Sequence, residues 1–144
     1  MAATSIVSLS YPKTRESLEK VVKIVRTDTT AFVGAWLPKD AVITGMYVVG
    51  QAASDAGSSA TVSVGTTSTS NELLSGFDVK TAATGEGYNP AGAAAVGTAF
   101  MEKQTSDVPV YAKYAETGTA STAGGPWYIK IEYAVVSSGE TIQM

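Results

Sequence analysis

The chain has no cysteine and no histidine. Without cysteine there is no disulfide framework, no thiolate nucleophile and no cysteine-built metal centre, so nothing ties the protein to an oxidising compartment. Without histidine, most zinc sites, the Ser-His-Asp triad and the usual general base near neutral pH are excluded together. Charge is scarce as well: 16% of the 144 residues are charged, against roughly 25% in an average globular protein. No apolar run approaches the roughly 20 residues of a membrane span. The opening MAATSIVSLSYPK has neither the basic start nor the long apolar centre of a signal peptide. These absences predict a soluble protein, made in the cytoplasm and bound to no membrane.

Alanine, threonine, serine and glycine take the place of charge. A hydrophobic fraction of 44% is too high for disorder, and a chain of this length makes one domain that buries about 68–70% of its unfolded surface. A surface of small uncharged residues suits a protein packed against other subunits. The net charge of -3 argues against non-specific nucleic-acid binding, which needs a basic patch to release counterions. The charge is uneven, however. Up to Asp40, six basic residues (Lys13, Arg15, Lys20, Lys23, Arg26, Lys39) outnumber four acids and leave a net +2, while the remainder carries -5. An arm of opposite sign to its body could dock on an acidic surface; the alternative is a solvated mixed-charge segment.

Period-two alternation dominates the chain. In GGPWYIKIEYAVV, Trp127, Ile129, Ile131, Tyr133 and Val135 alternate with a mixed set, the pattern of a half-buried strand started by Pro126. ATVSVGT and DVPVYAKYA repeat it, with Pro109 at an edge or a strand start. DAVITGMYVVGQA is apolar on both sides, as a strand held between layers would be, and the SDAGSS after it reads as a hairpin turn. SLEKVVKIVRTD has both helical and strand spacings, but its β-branched cluster favours a strand from about Lys20 to Arg26. TTAFVGAWLP gives another extended segment, NELLSGFDV one helical turn at Leu73 and Leu74 before a short strand, and TAFMEKQ a further strand. Seven or eight short strands with no long amphipathic helix predict an antiparallel sandwich or barrel.

The glycine-rich GEGYNPAGAAAVG, residues 85 to 97, invites comparison with phosphate-binding loops. Gly87 to Gly92 has Walker A spacing, but Ala93 and Ala94 stand where the lysine and hydroxyl must be. Pro90 occupies the third glycine position of GxGxxG, and no helix follows. The stretch is a loop between strands, whose Tyr88 and Pro90 could anchor it on a neighbouring subunit. Asp55, Asp78, Asp107, Glu72 and Glu102 form no short-range pair suited to metal or glycosidase chemistry. The aromatics Trp36, Tyr111, Tyr114, Trp127, Tyr128 and Tyr133 raise a sugar-stacking platform as an option, although most such rings in a sandwich fill the core or an interface. TTSTS and TGTASTAGG read as loop material with no chemistry.

Taken together, WLPKDAVITGMYVVGQAASDAGSSATVSVGT, then LLSGFDVKTA, and finally GGPWYIKIEYAV resemble the head decoration (cement) proteins of tailed bacteriophages. The matching residues are Leu37, Pro38, Lys39, Thr61, Ser63, Val64, Gly65, Leu73, Leu74, Asp78, Val79, Gly124, Gly125 and Trp127. They are strand and turn residues, not a catalytic signature. The resemblance implies an antiparallel jelly-roll-like β-sandwich of about eight strands, a homotrimer, seated on a phage capsid where copies of the major capsid protein meet. It implies no enzyme, no cofactor and a location on the virion's outer surface. It covers most of Trp36 to Val136, leaving residues 1–14 as an N-terminal arm before a single domain over 15–144. Lys13 and Arg15 at the arm, and Tyr88 and Pro90 in the glycine-rich loop, are the expected capsid or subunit contacts. The alternative is a tail or fibre module with a sugar-binding face.

Overall fold

A computed structural model describes residues 18–81 and 102–136. These residues form seven strands and no helix: β1 (Leu18–Ile24), β2 (Phe32–Leu37), β3 (Ala41–Gly50), β4 (Ser59–Gly65), β5 (Leu74–Asp78), β6 (Val108–Thr117) and β7 (Trp127–Val135). All pairings are antiparallel. One sheet has the order β1-β7-β3 and the other β2-β6-β4-β5, so the chain is an all-β sandwich. β4 and β5 are the one pair of consecutive strands hydrogen-bonded to each other; β5 and β6 share that sheet with β4 between them, and the other four connections cross between sheets.

Alternation sends one face of each strand into the space between the sheets. β7 contributes Trp127, Ile129, Ile131 and Tyr133, β6 contributes Val110, Ala112 and Tyr114, and β4 contributes Ala60, Val62 and Val64. Burying a valine, leucine or isoleucine side chain yields about 1.5–3 kcal/mol, so this inner layer dominates the stability. Pro109 lies where β6 has β2 on one side but β4 has already ended, since the β4 ladder stops at Gly65 opposite Tyr111. Its missing N–H therefore costs the sheet no bond on the β4 side.

Three sequence expectations change. β3 is apolar at both parities because its register slips between Ile43 and Gly45: the buried set is Ala41 and Ile43 before the bulge, then Met46 and Val48 after it. Its outward residues Thr44 and Val49 are exposed, so this strand is not enclosed on both faces. SDAGSS is not a hairpin turn, because β3 and β4 belong to different sheets. Leu73 and Leu74 make no helical turn; Leu73 donates its N–H to the Val64 carbonyl at 3.0 Å and Leu74 opens β5 opposite Val64, so both leucines enter the core from extended backbone.

The predicted strand at TAFMEKQ lies partly outside the described residues. Within them, Gln104 donates to the Ala41 carbonyl at 2.9 Å and accepts from the Asp40 N–H at 2.8 Å. Asp40 has φ +69°. This two-against-one pairing with a left-handed first residue is the geometry of a β-bulge, and it puts Gln104 on the β3 edge that β7 leaves free.

Candidate interaction surface

Carboxylates organise the loops at both ends of the sandwich. In the TTSTS loop, Glu72 Oε1 accepts from the N–H groups of Thr66 (2.7 Å) and Thr67 (2.9 Å), and Oε2 accepts from the hydroxyls of Thr67 (2.9 Å) and Thr69 (2.5 Å). Burial alone would raise the Glu72 pKa, but the bonds from Thr69, Thr67 and Thr66 outweigh it and hold the carboxyl down at about 2. The loop closes over Gly65, where a Cβ would stand 2.3 Å from Glu72 Oε1 and 2.7 Å from the Asn71 backbone nitrogen. Only glycine fits that approach.

At the other end, Asp55 binds the loop between β6 and β7. It accepts from the N–H groups of Ala123 (2.9 Å) and Thr122 (2.8 Å) and from the Thr122 hydroxyl (2.7 Å), which lowers its pKa to about 2. Beside it, the buried Tyr114 hydroxyl is 2.7 Å from both Ser54 Oγ and Glu116 Oε2, and Arg26 donates to the Ser121 carbonyl at 3.0 Å. Burial raises the Tyr114 pKa, while bonds from Ser121 and Tyr114 lower that of Glu116. TTSTS and TGTASTAGG, compositionally bland, are thus loops fixed by acceptors elsewhere in sequence. A solitary acid near a run of threonines was the available signal for the first; the second depends on Asp55, 67 residues before Thr122, and no local pattern reveals it.

The two outer faces differ in character. On the three-stranded sheet, Lys130 pairs with Glu132 (3.1 Å) and Glu19 (3.8 Å) and sits 5.8 Å over the Tyr47 ring, a cluster of screened contacts worth little individually. On the four-stranded sheet, Val33 stands opposite Tyr111 and Trp36 opposite Pro109, away from the buried Val110 and Ala112. Trp36 is 56% exposed and Val33 is exposed beside it. At the corner between the edge strands β1 and β2 a cleft of about 340 Å³ opens, lined by Lys20, Trp36, Leu37, Pro38, Asp107 and Tyr133.

Among the aromatic candidates, Trp127 (2% exposed), Tyr114 and Tyr133 belong to the core, while Trp36 is the exposed tryptophan. Among the described residues no three acidic side chains gather for a metal ion. Asp78 is occupied locally, accepting from the backbone of Lys80 and Thr81 and from the Thr81 hydroxyl. Lys13, Arg15, Tyr88, Pro90 and the rest of residues 85–97 lie outside the described residues.

No family model and no curated protein matches the chain. Its backbone is similar to a chain of the cyanophage Pam1 capsid asymmetric unit, with a TM-score of 0.60, 17% sequence identity and 94% of each chain covered. It is also similar to a chain of the acidic stable capsid structure of Helicobacter pylori bacteriophage KHP30, with a TM-score of 0.51, 15% identity, and 83% of this chain and 91% of that one covered. At such identities the likeness is one of fold.

Proposed function

We propose that the protein is a non-enzymatic structural component of a phage virion that binds the outer surface of the head, at the major capsid protein, as a decoration or cement protein. The observation that carries this reading is the likeness over 94% of both chains to a subunit of the Pam1 capsid asymmetric unit. A second phage capsid subunit with the same fold supports it. So does the strand order. A jelly roll is a long antiparallel hairpin wrapped into two sheets, so its first strand pairs with its last and its second with its last but one. The pairings β1 with β7, β2 with β6 and β4 with β5 are those of such a hairpin. The other edge of β3 carries no strand among the described residues, and Gln104 pairs there with Asp40 and Ala41.

Cementing requires a stiff body and contacts that add up over several sites; it requires no acid, base or metal. A homotrimer presents three copies of each contact, with Lys13 and Arg15 at the arm and Tyr88 and Pro90 in the 85–97 loop as the capsid-facing residues. Synthesis in the host cytoplasm precedes assembly on the capsid. The test is reconstitution: purified protein added to heads lacking it should bind saturably and raise their resistance to heat. Absence of binding to intact heads would end the proposal.

A further inference from the structure

The cleft between β1 and β2 holds an unusual combination of groups. Trp36, the exposed tryptophan, lies on its wall together with Leu37, Pro38 and Tyr133. Two polar groups complete the lining. Asp107 spends one oxygen, Oδ1, on the Lys39 N–H at 2.8 Å, and its other oxygen has no bond among the described residues. Lys20 makes no ion pair among the described residues, and the two side chains do not pair with each other. Asp107 is thus held in place by its bond to the β2–β3 turn while keeping acceptor capacity, and Lys20 keeps its donors.

We infer that this cleft is a saccharide-binding site. Its volume falls within the range of small-ligand sites, about 300–1,000 Å³, built as they are from apolar walls and a few convergent polar groups. One cation and one anion give the walls no net sign, so the site favours neither a net anion nor a net cation. A neutral ligand that satisfies both must accept from an ammonium and donate to a carboxylate, as a hydroxyl does. A ligand that also covers an indole needs a flat apolar face. A pyranose ring has both properties. This inference concerns the free protein and does not rest on the capsid reading.

The experiment uses the full chain and a panel of maltose, cellobiose, lactose and N,N′-diacetylchitobiose, titrated by calorimetry and by tryptophan emission. Trp127 is buried, so a ligand-induced change in emission reports on Trp36. At least one saccharide is expected to bind saturably. Trp36→Ala should weaken it by about tenfold or more, the loss of about 1.4 kcal/mol of ring contact. Asp107→Asn, which keeps an acceptor for the Lys39 N–H, should weaken it as well. Unchanged melting curves for both variants establish that the fold persists. Failure of every saccharide to bind, or binding indifferent to both substitutions, overturns the proposal. So does a Trp36 emission that shifts with protein concentration in the absence of sugar, which assigns the cleft to a second copy of the chain.

Discussion

Tyr114 on β6 and Trp127 on β7 lie face to face across the sandwich, their ring centroids 5.4 Å apart and their planes 10° from parallel. The contact joins the two sheets, and the Tyr114 hydroxyl carries it on to Ser54 and Glu116 at the end of the molecule. Tyr114→Phe keeps the ring stack and removes the hydroxyl shared by those two groups. Leaving a buried polar group without its partner costs about 1–3 kcal/mol, so the melting temperature should fall by several degrees. Tyr114→Ala, which removes the ring too, should cost about 3–5 kcal/mol. Thermal unfolding followed by circular dichroism measures both, and a phenylalanine variant as stable as the parent would contradict the role given to the hydroxyl.

Gly65 is fixed by the approach of the Glu72 loop. Gly65→Ala must push the Glu72 carboxylate and the Asn71 backbone aside, at about 1–3 kcal/mol for an overpacked site. Chemical denaturation should show that loss, and Gly76→Ala offers a contrast: its added Cβ meets nothing within 4 Å, and only its φ of +67° is strained.

Acid should loosen the loops. Asp55 and Glu72 have folded pKa values near 2 against ordinary values of 3.8 and 4.5. Both are depressed on folding, so their contribution is complete above the unfolded values and is lost as pH falls from about 4.5 toward 2. The melting temperature should be flat from that window up to neutral pH and decline within the window. Asp55→Asn and Glu72→Gln should each lower stability at neutral pH while making the acid decline shallower; a decline of unchanged steepness in both would contradict the assignment.

Attachment to the head should weaken when the arm reverses its charge. Lys13→Glu with Arg15→Glu is expected to reduce capsid occupancy most at low salt, where the attraction is least screened. Tyr88→Ala with Pro90→Ala is expected to reduce it at any ionic strength. Occupancy read by gel densitometry of purified particles separates the two effects, and unchanged occupancy in both variants removes these residues from the contact.

Much of this architecture was legible in the sequence because alternation is a local signal. The apolar set of β7 and the placement of Pro109 at a strand start follow from it directly. The bulge in β3 was not legible, since a slip of one residue and burial on both faces write the same apolar pattern. The pairing of strands across sheets was also hidden, and with it the fate of SDAGSS, whose Asp55 reaches residues 122 and 123 instead of closing a hairpin. The aromatic count pointed to a stacking surface without saying which ring faces solvent; Trp127 is inside and Trp36 outside, a distinction set by which face of its strand each ring stands on.

The central claim is that this chain coats a phage head, and the most direct measurement is the number of copies per particle by quantitative mass spectrometry of purified filled virions, with the mass of the free protein in solution. A decoration protein should be present at a copy number comparable to that of the major capsid protein, with a free mass three times that of the chain. A copy number at the level of a tail tip, or absence from the particle, would contradict the account.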